Sequence, residues 1–160
     1  YKRLYEQNPN AINLVKTYEG NLLYDNMGLT TEDCEKLKNV EVVFHAGGSP
    51  NYVYEFCRTA LPKLRVLAAA TDLYKHKNFS ETTLDNDELI HDIPLALLRL
   101  PTIGPACQEP MPGFVEILRG PTALMIGAGF ALGRRDLPAE VLPVDLAVNA
   151  LIAAAWERGI

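Results

Sequence analysis

The sequence predicts an α/β fold, a parallel sheet wrapped by helices, on three observations. Helical and strand-like patterns alternate through the first half with short connectors, the arrangement that joins parallel strands by crossovers. Val40–His45 (VEVVFH) is β-branched and apolar and closes on Ala46-Gly47-Gly48-Ser49-Pro50, which makes it the clearest strand. Ile93–Gly113 is an apolar run, carrying Arg99, that breaks into a loop punctuated by Pro101, Gly104, Pro105, Pro110, Pro112 and Gly113. A strand feeding such a loop is how an α/β sheet presents a ligand crevice at its carboxyl edge. On pattern alone the same stretch also reads as a buried strand followed by an ordinary surface loop.

The elements follow in order. Tyr1–Asn8 reads as the tail of a helix, stopped by Pro9. Ile12–Tyr18 (INLVKTY) reads as a short strand ended by Glu19-Gly20-Asn21. Thr30 or Thr31 serves as N-cap of the next helix, with Glu32 and Asp33 favourable in its first turn, and that helix runs through Leu37 to stop near Asn39. After the Val40–His45 strand, Tyr52–Ala60 and Leu64–Ala70 each fit helix or strand. Tyr74–Asp87 is polar and aperiodic and reads as a loop or linker, and Leu95–Leu98 is the strand of the Ile93–Gly113 stretch. Thr122–Leu132 is an apolar run dotted with glycine, and Val141–Val144 is a short strand-like piece. Asp145 is placed to N-cap Leu146–Trp156, a strong Ala- and Leu-rich helix that ends at Gly159.

Bulk properties narrow the function. At 160 residues the chain holds one domain with a real core. A net charge of −5, with no basic cluster beyond the pair Arg134-Arg135, gives no electrostatic pull on nucleic acid. The longest uncharged stretch, Gly120–Gly133, is about 14 residues, short of the roughly 20 that span a bilayer. Cys34, Cys57 and Cys107 are odd in number and widely spaced, which fits free thiols of an intracellular, reducing compartment and gives no metal-ligand spacing.

Candidate chemistry is sparse. Gly127–Gly133 has the form GxGxxxG, whose glycines could let a backbone approach a pyrophosphate. A helix whose small residues allow close packing explains it better, because no acidic residue follows a second strand at the usual distance. Phe44-His45-Ala46-Gly47-Gly48 is a strand end opening into a small-residue turn against which adenine or ribose can lie, and His45 itself reads as a structural histidine. Tyr74-Lys75-His76-Lys77 gathers a phenol, an imidazole and two amines, but Asn78 stands four residues after Tyr74 and no YxxxK occurs in the sequence. The pairing of a tyrosine with a lysine one helical turn on, which would lower the phenol's pKa, is therefore missing.

Taken together, VEVVFHAGG, LLRLPTIGPACQEPMPGF, RGPTALMIGAG and LPVDLAVNALIAAAW resemble the Rossmann domain of alcohol-forming, male-sterility-like fatty acyl-CoA reductases, within the extended short-chain dehydrogenase/reductase superfamily. EQNP, Glu19-Gly20-Asn21 and the helix start at Gly28-Leu29-Thr30 are compatible with it, and the second-half motifs carry most of the specificity. The resemblance implies an incomplete NAD(P)-binding Rossmann-like doubly wound parallel sheet: one partial reductase domain over residues 1–160, with a shortened linker over 73–92. It implies reduction of a long-chain fatty acyl-CoA to a fatty alcohol with NADPH, in a fragment or eroded member of the family. The alternative is an inactive relic that binds only acyl groups or a partner.

Residue by residue, the resemblance places Asn21 where the family usually has an aspartate facing the adenine. Phe44, His45, Ala46 and Gly47 fall on the strand end along the cofactor. Arg99, Leu100 and Thr102 fall on the strand and loop over the nicotinamide side, with Leu100 standing where the family has proline. Thr71, in AATDLY, falls where the family has its carbonyl-orienting serine. The glycine-rich phosphate loop would lie upstream of Tyr1, and the tyrosine–lysine helix between Tyr74 and Ile93. Neither metal nor nucleic acid is implied, and the family suggests attachment to peroxisomal or endoplasmic-reticulum membranes through parts outside these residues.

Overall fold

The computed structural model describes residues 2–47, 50–72, 94–118, 120–129, 132–134, 136–138 and 140–159. The linker expected over 73–92, with Tyr74–Lys77, lies outside the described residues. Helix α1 (Lys2–Gln7) stops ahead of Pro9. The strand expected over Ile12–Tyr18 does not form. Ala11–Leu14 makes a 3-10 turn instead, and the chain beyond it joins neither sheet. A β-rich composition favours a strand only where a pleated, half-buried surface receives it, and here Ile12, Leu14 and Val15 are exposed.

Helix α2 (Thr31–Leu37) starts as its sequence dictates. The Thr30 hydroxyl accepts the Asp33 N–H at 3.1 Å and donates to Asp33 Oδ2 at 2.7 Å, which satisfies one of the orphan donors of the first turn. Strand β1 (Val42–His45) leads into α3 (Pro50–Ala60) and then β2 (Val66–Asp72). Both ambiguous stretches are thereby resolved, the first as helix and the second as strand. Within α3, Val53, Phe56 and Cys57 are buried at helical spacing and Ala60 packs against them. Strands β3 (Leu95–Leu100) and β4 (Thr102–Gly104) follow, then helix α4 (Gly120–Ala128), strand β5 (Val141–Pro143) and helix α5 (Val144–Gly159).

The first three strands form a parallel sheet in the order β1-β2-β3, and β4 pairs in parallel with β5. In the centre, Leu67, Ala68 and Ala69 have 0% exposure, as befits a parallel strand covered on both faces. Alternate residues feed two cores. Leu67 joins Val53, Phe56, Cys57 and Leu61 on the α3 side, where Val43 and Leu95 also pack. Val66 and Ala68 meet Leu151 and Ala155 of α5, with Ala96 and Leu98 alongside. Burying a leucine such as Leu67 is worth about 1.5–3 kcal/mol. Helices on both faces of an open parallel sheet make this an α/β, Rossmann-like doubly wound arrangement.

Helix α5 spans the sheet from edge to edge. Its first turn lies by the loop that follows β4, and its last residue, Gly159, accepts a hydrogen bond from Arg65 Nη2 at 3.0 Å beside Val66, the first residue of β2. Because α5 covers β2 and β3, Val42 and Phe44 of β1 stay 45% and 49% exposed. Helix α4 corrects a second expectation. Among the described residues a Cβ built on Gly127, Gly129 or Gly133 would meet nothing within 4 Å, so no close packing on these glycines is seen there. Gly129 instead ends the helix with φ +70°, the left-handed conformation common just past a helix C-terminus.

Candidate functional site

All three strands of the main sheet point their carboxyl ends to one edge, and the candidate residues collect there in two corners. The first is built on a tight turn. Asn21 N–H donates to the Met27 carbonyl at 2.8 Å, while Asn21 Oδ1 accepts the Leu23 N–H at 3.0 Å. That second bond is the self-capping turn for which asparagine is suited. Met27 and Asn26 adopt left-handed φ of 55° and 51°, held in place because Met27 packs on the α3 core. Gly20 allows the turn to close, since a Cβ there would lie 2.6 Å from the Met27 carbonyl oxygen.

This turn stands beside the end of β1. Leu22 Cδ1 lies 4.0 Å from where a Gly47 Cβ would be, so the structure brings Asn21, through its neighbour, to Phe44–Gly47. His45 is buried at 6% exposure, whereas Ala46 and Gly47 are exposed. A histidine enclosed in the sheet fits the structural role read from the sequence. The small exposed pair beyond it leaves backbone open to a flat ligand.

The second corner lies at the ends of β2 and β3. Thr71 pairs in register with Arg99, and Asp72 with Leu100. Arg99 is exposed and Leu100 half-buried. Thr102, half-buried, begins β4 and pairs with Val141 of β5. The sheet thus places Thr71, Arg99 and Leu100 side by side, with Thr102 just beyond.

Beyond β4 the structure shows an arrangement that sequence reasoning missed. Asp145 does not N-cap α5, which already begins at Val144. Its carboxylate is turned across to the loop after β4. Oδ1 accepts the Cys107 N–H at 3.0 Å, and Oδ2 accepts the N–H groups of Gln108 at 2.8 Å and Glu109 at 3.1 Å. The Cys107 thiol donates to Oδ2 at 3.3 Å. The Cys107 N–H first, then those of Glu109 and Gln108 and the thiol, hold the Asp145 carboxyl well below the usual carboxylate range. In return the hydrogen bond to Asp145 pushes the Cys107 thiol up. The loop closes on itself as Gly113 N–H donates to the Ala106 carbonyl at 2.8 Å and Ala106 N–H to that of Phe114 at 3.1 Å. No local signal marks these partners, because they lie 36 to 38 residues from Asp145.

Among the described residues no group of three or more His, Cys, Asp or Glu could hold a metal ion, and no helix is long and apolar enough to cross a membrane. Cys34, Cys57 and Cys107 are free thiols.

The matches to known proteins fall on the part of the chain that holds the first corner. The profile of the family described as male sterility protein matches residues 1–71. Over 71 residues, 41% of this chain, it is 35% identical to fatty acyl-CoA reductase 1 of Xenopus laevis and to that of Homo sapiens. Over the same length it is 40% identical to fatty acyl-CoA reductase 2 of Mus musculus. The match covers 14% of the length of these curated relatives. It falls on the half holding Asn21 and Phe44–Gly47, whereas the second-half motifs that carried most of the resemblance lie outside it. Over residues 1–71, less than half of its length, the chain is thus similar to the male sterility protein family.

Proposed function

We propose that this chain is a single, partial reductase domain that reduces a long-chain fatty acyl-CoA to a fatty alcohol, with NADPH as the cofactor. The observation that carries the reading is the first corner. Within the segment that matches the family, the Asn21 turn stands against the exposed Ala46-Gly47 end of β1, at the carboxyl edge of a parallel sheet. Such an edge is where α/β sheets bind nucleotides. Among the described residues, a Cβ at Gly47 would meet Leu22 Cδ1 at 4.0 Å, which supports a planar adenine lying against that backbone. Asn21 offers an amide on the adenine side, with its own Oδ1 engaged by Leu23. NADPH, when bound, supplies the hydride. In this reading Arg99, Leu100 and Thr102 line the nicotinamide side, and Thr71, in register with Arg99, orients the thioester carbonyl.

Titration of the protein with NADPH, followed by fluorescence or calorimetry, tests the proposal. Saturable binding is expected, weakened by Gly47→Val. Absence of NADPH binding by the full-length protein refutes it. A second reading, an inactive relic that binds only acyl groups or a partner, is favoured by one observation: no YxxxK occurs in the 160 residues. Turnover of acyl-CoA by this chain would exclude that alternative.

A further inference from the structure

The carboxylate of Asp145, in the first turn of α5, gathers three consecutive backbone N–H groups and a thiol from a loop more than thirty residues earlier. Between that loop and α5 lies an open groove of about 610 Å³, to which α1 also contributes Gln7. Its volume is in the range of small-molecule sites. Its apolar walls are Pro110, Phe114, Val144 and Val148, and Gln7, Glu109, Asp145 and Asn149 are its polar members. The groove opens at the same edge of the sheet as Thr71 and Arg99, because β3 ends at Leu100 and the chain reaches the loop within a few residues.

We infer that Asp145 is a positioning residue that pins the Cys107–Phe114 loop to the first turn of α5 and so fixes the width of the groove that receives the substrate's acyl chain. The inference rests on the reductase reading for the identity of the occupant, and on the hydrogen bonds alone for the pinning. A carboxylate is an acceptor only, so both oxygens can face donors. Charge-assisted bonds of this kind are about twice as strong as neutral ones. No other residue type of this size can take all four donors. In Asp145→Asn one oxygen becomes an NH₂ group turned toward N–H donors, and the loop is released from α5. The groove then widens while the Asn21–Gly47 corner, built on β1 and the first turn, is untouched.

Two readouts test this in the full-length protein. The first is the alkylation rate of Cys107 by iodoacetamide, followed by peptide mapping and requiring neither cofactor nor substrate. In the native protein Cys107, although exposed, reacts more slowly than glutathione at pH 8, and in Asp145→Asn it reacts severalfold faster while Cys57 does not change. The second is kinetic, with palmitoyl-CoA as probe: KM rises by roughly ten- to a hundredfold, the usual scale for misplaced contacts, while the NADPH dissociation constant stays unchanged. A general loss of structure would move both constants. Should the variant fail to fold, the wild-type rate still decides, since a Cys107 as reactive as glutathione overturns the pinning. Unchanged Cys107 reactivity in the folded variant also overturns it. If the native protein neither binds nor reduces palmitoyl-CoA, the assignment of the groove to an acyl chain falls with the reductase reading, and the alkylation rates alone judge the pinning.

Discussion

Replacement of Gly20 by alanine probes the turn on which the first corner depends. The new methyl would sit 2.6 Å from the Met27 carbonyl oxygen and 3.3 Å from Leu29 Cδ2, well inside the roughly 3.5 Å at which carbon contacts become favourable. The obstacle is backbone, so no side-chain rotation relieves it. Overpacking of this kind costs about 1–3 kcal/mol. The same carbonyl accepts the Asn21 N–H at 2.8 Å, and pushing it aside loses a hydrogen bond worth about 1 kcal/mol. Against this, alanine restricts the unfolded chain and recovers about 0.4–1 kcal/mol. The net loss is then about 1–3.6 kcal/mol, a fall in melting temperature of roughly 2–14 °C for a chain of this size. Thermal unfolding followed by circular dichroism measures it. Gly127→Ala is the control, because its Cβ meets nothing within 4 Å on an exposed helix, and there alanine gains up to about 1 kcal/mol. A Gly20→Ala protein that melts at or above the wild-type temperature would refute the reasoning.

Other perturbations follow from the same geometry. Thr30→Ala removes the cap of α2 and should cost about 1 kcal/mol in urea denaturation; Thr30→Ser should recover most of it. The Asp145 carboxyl is depressed by its backbone donors, so its contribution to stability is full above the ordinary carboxylate pKa and is lost as pH falls through the folded value. The stability difference between wild type and Asp145→Asn should accordingly shrink on acidification, and a constant difference from pH 7 to pH 3 would contradict this. Burial pushes the Cys57 thiol up to about 12, so in the native protein it should resist alkylation at pH 8 and react only as the chain unfolds, as mass spectrometry across a urea series would show. Leu67→Ala, at the fully enclosed centre of β2, should cost about 2–5 kcal/mol, measured by the same denaturation.

What could be read from the sequence was local chemistry. β1 is a run of β-branched and aromatic residues closed by small ones, α2 carries its own cap, and α5 is rich in good helix formers; each element formed close to where these signals placed it. Tyr52–Ala60 could not be assigned because its aromatics suit either structure, and the choice was made by the core that Val53, Phe56 and Cys57 share with Leu67. Ile12–Tyr18 has strand composition but no partner strand among the described residues. The candidate site was partly legible, since family-like residues could be marked one by one. Their grouping into two corners required the strand register. The role of Asp145 was hidden for a plain reason: aspartate after a strand at a helix start is ordinarily a cap, and only the pairing of β4 with β5 brings Cys107–Glu109 within its reach.

Helix α5 is fastened at both ends, by Asp145 to the loop at one edge of the sheet and by Gly159 to Arg65 at the other. Its 16 residues span about 24 Å, and Leu151 and Ala155 seat its middle on β2 and β3. A helix held in this way has its position along the strands set at three points, two of them polar and one apolar. Arg65→Ala would remove the far anchor and leave the packing of Leu151 and Ala155 to hold that half of the helix on the sheet.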